Sequence, residues 1–171
     1  MQTQIFQRII LILESTLHGL PMTINNRKWL ALSVGLIFFI ADRLVKYLFV
    51  FQSINPGGSV FYYLENRNLA FSLPLPSFAA VVFYIFIFLI ILTVISLFVN
   101  SWRCSRLAPP LAYWLVILGA GSNLLDRFKY GAVIDFIDFK IWPVFNLADV
   151  MIVVGLGLLS YDLFFHRKNF R

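Results

Sequence analysis

The sequence predicts an all-α membrane protein: four transmembrane helices with a small extended or β element on the outer face. Three observations lead there. The chain of 171 residues is 60% hydrophobic and 13% charged, whereas soluble domains carry about 25% charged residues. The stretch from Leu69 to Trp102 contains no charge and exceeds the roughly 20 apolar residues needed to cross a bilayer. The remaining cations sit in small groups beside other apolar runs, as the flanks of membrane spans do.

Residues 1 to 25 form an N-terminal extension ahead of a four-helix transmembrane unit, residues 26–171. The apolar run Ile9 to Leu13, between Arg8 and Glu14, is too short to span and is read as an amphipathic segment on the inner surface or a poorly structured extension. A first helix over residues 28–51 follows Arg27 and Lys28 and carries Asp42, Arg43 and Lys46 in its second half. Pro56, Gly57, Gly58, Pro74 and Pro76 then stop regular structure, with a short β-rich strand from Val60 to Leu64 inside that loop. The second helix spans residues 78–99. The third covers residues 107–127, with Pro109 and Pro110 placed at its start, where proline is tolerated. Gly131 to Phe139 reads as extended chain, and Pro143 introduces a fourth helix over residues 144–165.

Cytoplasmic flanks carry the excess of Lys and Arg. Arg27, Lys28, Arg103, Arg106, Arg167, Lys168 and Arg171 fall on one side of a four-span chain, so both termini are expected inside. Asp42, Asp126 and Asp149 are then delivered to the outer ends of three helices. The net charge of +6 is explained by this topology, without nucleic-acid binding. The single cysteine, Cys104, excludes an intrachain disulfide.

Carboxylates at membrane depth are functional candidates by default, since burying a charge in hydrocarbon costs at least about 2.5–3.5 kcal/mol. Helical spacing puts Asn123 beside Asp126 and Arg127, Asn146 beside Asp149, and Asp42 beside Lys46. In extended chain Asp135 and Asp138 point opposite ways, so one of them is expected to meet Asp149. Two carboxylates held close share a proton near neutral pH; one then takes a proton from water while the other donates one to the substrate. That is peptide hydrolysis without a metal, a cofactor or a covalent intermediate. His18 and His166 fall on the inner side, too far to activate Ser122, and an all-carboxylate set suits Mg²⁺ or Ca²⁺ at best. Plainer roles compete: Asp42 with Lys46 as a self-neutralising intrahelical pair, Arg127 as an interfacial anchor, Asp138 as a solvated acid or partner of Lys140, and the 19 phenylalanines as lipid-facing and packing residues. The alternative functions are a small proton-coupled transporter and a noncatalytic membrane assembly factor.

Five motifs, Asp42-x-x-x-Lys46, Asn66-x-x-x-Ala70-Phe71, Gly119-Ala120-Gly121-x-Asn123-x-x-Asp126-Arg127, Val133-Ile134-Asp135-Phe136 and Phe145-Asn146-Leu147-Ala148-Asp149, resemble in order and spacing those of bacterial lipoprotein signal peptidase, the signal peptidase II family. The resemblance covers about residues 28 to 165. It implies a monomeric aspartic endopeptidase of the bacterial inner membrane, active near the outer face, that removes signal peptides from lipid-modified prolipoproteins by cutting before the diacylglyceryl-cysteine. It implies Asp135 and Asp149 as catalytic pair, with Asn123, Asp126, Arg127 and Asn146 supporting them, and Asp42, Lys46 and Asn66 as structural or substrate-contacting positions. One departure stands out: Asn68 occupies a position where the family usually has glycine, and asparagine is among the residues that best tolerate the left-handed backbone.

Overall fold

The computed structural model of the chain describes residues 23–52, 60–67, 77–103 and 108–166. The expected amphipathic segment near the N-terminus, the Pro/Gly-rich parts of the first loop, Asn68, Cys104 and the basic tail lie outside the described residues. The elements run α1 (Ile24–Gln52), β1 (Phe61–Asn66), α2 (Ser77–Ser101), α3 (Ala108–Tyr130), β2 (Val133–Ile137) and α4 (Leu147–His166).

Among the described residues, three helices are long and apolar enough to cross a membrane, over Tyr84–Ser101, Ala108–Tyr130 and Leu147–Phe164. The expectation of four therefore reduces to three on these grounds. α1 is 29 residues long, about 43 Å at 1.5 Å per residue, but its charged residues dilute its hydropathy. Those charges do not face outward: Lys28, Asp42 and Lys46 are buried.

α3 is the element around which the others assemble. Its Ala112, Leu115 and Leu118 pack with Ala148, Met151 and Leu158 of α4, with Phe39 of α1 against the same cluster. The α3–α4 approach is close enough to require glycine. A Cβ on Gly119 would stand 2.5 Å from the Ala148 carbonyl oxygen, and one on Gly155 2.7 Å from that of Ala112. Small residues at such contacts let helix backbones touch where lipid gives no hydrophobic incentive to associate. α1 is latched to α3 where Trp114 Nε1 donates to the Leu32 carbonyl at 3.0 Å. At the same end, Lys28 Nζ donates to the Trp102 carbonyl at 2.7 Å, joining α1 to the end of α2.

α1 starts four residues ahead of the expected 28 and α2 ends two beyond 99, and two further differences have a local reason. α3 runs past Arg127 to Tyr130 and ends at Gly131, whose φ of 71° and N–H donated to the Arg127 carbonyl at 3.0 Å make a left-handed C-cap. α4 begins at Leu147 rather than residue 144, because Phe145 pairs with Ile137 in an antiparallel bridge and Asn146 serves as N-cap. β1 and β2 form an antiparallel pair with Leu64 opposite Asp135 and Asn66 opposite Val133, interrupted by an irregularity between Phe61 and Leu64. This sheet sits at the end of the bundle where α3 finishes and α4 starts.

Candidate active site

Lys46 is the centre of a dry charged cluster. Its ammonium contacts Asp42 Oδ2 at 3.0 Å and Asp126 Oδ2 at 2.8 Å, with all three side chains fully buried, and donates to Asn123 Oδ1 at 3.1 Å. Three donors thus meet three acceptors. Asp42 also accepts from Ser122 Oγ at 2.6 Å and from the Ala148 N–H at 3.1 Å, so a carboxylate on α1 satisfies a first-turn donor of α4, where helix polarity favours negative charge. Asp126 accepts from Arg43 Nη1 at 2.6 Å and from the Ile134 N–H at 3.4 Å. A buried ion pair of this kind tolerates no missing partner, because the charge left behind has no water to turn to.

Above that cluster lie Asp135 and Asp149, each held by two amide donors. Asp135, 2% exposed, accepts from Asn66 Nδ2 at 2.9 Å and Asn146 Nδ2 at 2.7 Å. The Asn66 contact follows from the antiparallel register, in which Asn66 opposes Val133 and the residue two further on is its diagonal neighbour. Asp149 accepts from Asn123 Nδ2 at 2.7 Å and from the Asn146 N–H at 3.1 Å, while the Asp149 N–H donates to Asn146 Oδ1 at 3.0 Å. The last two bonds form a reciprocal cap at the start of α4. Asn146 therefore touches both carboxylates, with its side-chain amide on Asp135 and its backbone on Asp149. Burial, reinforced by the charge of Asp149, pushes the Asp135 carboxyl up to about 6 from an ordinary 3.8, against the opposing pull of Asn66, Asn146 and Lys46.

The residues singled out from sequence divide into two groups here. Asp42, Lys46, Asn66, Asn123, Asp126, Asp135, Asn146 and Asp149 belong to one connected network. The expected grouping of Asn123 with Asp126 and Arg127 is corrected: Asp126 turns to Arg43 and Lys46, and Asn123 turns to Lys46, Asn146 and Asp149. Arg127 is half-buried and close enough to feel the charges of Asp135, Asp149 and Asp126. Asp138 stands apart, paired with Lys140. Sequence reasoning missed Arg43 and Ser122 as members. Ser122 precedes Asp126 by one helical turn and was legible as its neighbour; Arg43 adjoins Asp42 in sequence and gave no periodic signal. Among the described residues, no three His, Cys, Asp or Glu side chains are grouped so as to hold a metal ion.

Fold and site together define a helical membrane protein with an amide-braced pair of carboxylates, one buried and one half-buried, at one end of its bundle. Residues 34–165 match the family described as signal peptidase (SPase) II, Peptidase A8. A lipoprotein signal peptidase of Halothermothrix orenii is 37% identical over 142 residues, 79% of this chain and 95% of that protein. One from Blochmanniella pennsylvanica is 32% identical over 154 residues, 82% of this chain and 91% of the relative. A solved structure described as a bacterial membrane enzyme, at 22% identity, superposes with a TM-score of 0.65 over 82% of this chain and 91% of its own, which bears on the fold alone. The chain belongs to the signal peptidase II family: it is a peptidase and an integral protein of the bacterial inner membrane.

Proposed function

We propose that this peptidase removes the signal peptides of diacylglyceryl-modified prolipoproteins, cutting before the lipidated cysteine, with Asp135 and Asp149 as the catalytic pair. The observation that carries this reading is Asn146 bonded to both carboxylates, which fixes them as a unit at the end of the bundle. With one proton between the two acids, the ionised one takes a proton from water as its oxygen attacks the scissile carbonyl. The protonated one gives its proton to the carbonyl oxygen. Collapse of the resulting diol breaks the C–N bond: the leaving nitrogen takes a proton from the acid that acted as base, and one diol hydroxyl returns its proton to the other carboxylate, which restores the single shared proton. Asn66 and Asn123 hold one oxygen of each carboxylate, leaving the orientation of the pair fixed before substrate arrives. The Asp42–Lys46–Asp126 cluster ties α1, α3 and α4 together beneath it.

In this reading α1 is a fourth span, supported by its length and by the inward aim of its charges. The termini face the cytoplasm and the carboxylates lie near the outer face, on the distribution of Lys and Arg. The test is turnover: purified protein in lipid, given a diacylglyceryl-modified precursor and the same precursor without lipid, is expected to cleave the first at the residue before cysteine and to spare the second. Absence of cleavage with retained fold would favour the transporter or assembly-factor alternatives.

A further inference from the structure

After β2 the chain runs Asp138-Phe139-Lys140-Ile141-Trp142 before returning to pair through Phe145. This turn is built, and tightly. Lys140 holds a φ of 65°, in the left-handed region that few residues other than glycine enter. Asp138 keeps it there by accepting the Lys140 N–H at 2.8 Å and pairing with its ammonium. That ammonium lies 5.8 Å from the ring centre of Tyr62 on β1, and the Phe139 and Phe145 rings pack at 5.5 Å. Yet the side chains the turn displays are bare: Ile141 is 91% exposed, Trp142 67% and Phe139 55%.

Three large apolar groups in four residues on a held turn mark an interaction site, since apolar surface left in water forfeits the stabilisation its burial would give. What covers them is indicated by continuity with the membrane-facing surface. α4 starts from this same end, and Val153 near its beginning and Phe128 near the end of α3 are 67% and 70% exposed. Trp is the residue enriched where headgroups meet acyl chains, and a lysine among apolar groups keeps its charge in the headgroup layer while its stem lies in apolar surroundings.

We propose that residues 138–142 are an interfacial anchor whose partner is the lipid surface, and that this anchor sets the level of β2, hence of Asp135, relative to the bilayer. The proposal rests on the placement of the carboxylates at the outer face argued above. It gives the turn a purpose in the reaction. A substrate tethered by a diacylglyceryl group presents its cleavage site at a fixed depth, and the attacking pair must be held at that depth too.

The test places a nitroxide on Ile141→Cys in a Cys104→Ser background, reconstituted in phosphatidylethanolamine–phosphatidylglycerol vesicles. Oxygen, which concentrates in hydrocarbon, is expected to relax this label more than a water-soluble nickel chelate does, with the order reversed for a label on Glu65→Cys. Greater relaxation by the chelate at position 141 overturns the anchor. A second measurement addresses the positioning role. Ile141→Ser combined with Trp142→Ser is expected to lose about tenfold or more in kcat/KM on precursor in vesicles, as small misplacements do, while keeping its rate on precursor in detergent micelles. Equal rates for variant and parent in vesicles overturn the positioning role. If the parent cleaves no prolipoprotein, the proposed function fails, and the label accessibility still decides the anchor.

Discussion

Asn146 couples two acids that would otherwise repel one another, and the consequences are testable one side chain at a time. Asp135→Asn and Asp149→Asn are each expected to abolish cleavage of a diacylglyceryl precursor while the protein still inserts and folds. The double variant should be little worse than either single one, because residues acting as a unit are strongly non-additive. Asp138→Asn keeps an oxygen for the Lys140 N–H and should be nearly silent. The pH dependence follows from Asp135, raised to about 6 mainly by burial. Below that pH its proton is in place; above it the proton is lost and the pair carries two negative charges. The kcat/KM of the free enzyme should therefore fall as pH rises through about 6, approaching tenfold per unit, in a pH–rate profile on a lipidated peptide. A profile flat from pH 5 to pH 8 would remove Asp135 from the acid role.

At the scale of elements, the contacts that matter are those between helix backbones and beneath the site. Gly119→Ala forces a methyl against the Ala148 carbonyl and Ile152, and is expected to destabilise by about 1–3 kcal/mol, read as a lower unfolding midpoint in detergent. Lys46→Met leaves Asp42 and Asp126 without their shared cation and should cost about 3–5 kcal/mol, with Asp42 losing more than Asp126, because Asp126 still has the Arg43 guanidinium whereas Asp42 keeps only the neutral donors Ser122 and the Ala148 N–H. The apolar helices were legible in the sequence because length and hydropathy are properties of a segment. Asp149 stood out by its place in an apolar helix, whereas Asp135, one of two acids in an extended segment, was singled out by the motifs of the family resemblance, and Asn146 by its helical spacing to Asp149 and by motif. The Arg43–Asp126 pair was not legible, because whether a cation on α1 reaches an acid on α3, as both Arg43 and Lys46 do, depends on helix rotation, which spacing within one helix does not report. Nor was the start of α4: Pro143 signals a helix nearby, but Asn146 and Asp149 capping each other sets the first turn.

For the whole molecule, orientation is the property on which the chemistry depends. A cytoplasmic reporter fused after residue 171 should be active, and one placed near Cys104 should agree with it; an external reading at Cys104 would turn every carboxylate to the wrong side. The buried Asp42–Lys46–Asp126 cluster also constrains the order in which the protein can be made. α1 leaves the ribosome first, bearing Asp42, Arg43 and Lys46, while Ser122, Asn123 and Asp126, which satisfy them, are synthesised much later. Until α3 arrives, α1 has only its internal Asp42–Lys46 pair to offset a heavy insertion penalty. A nascent chain ending before α3 should hold α1 loosely, accessible to water-borne reagents at Lys46, and extension through residue 130 should seal it. With α1 as the fourth span proposed above, biogenesis of this peptidase is a delayed clasp, in which the third helix completes the insertion of the first.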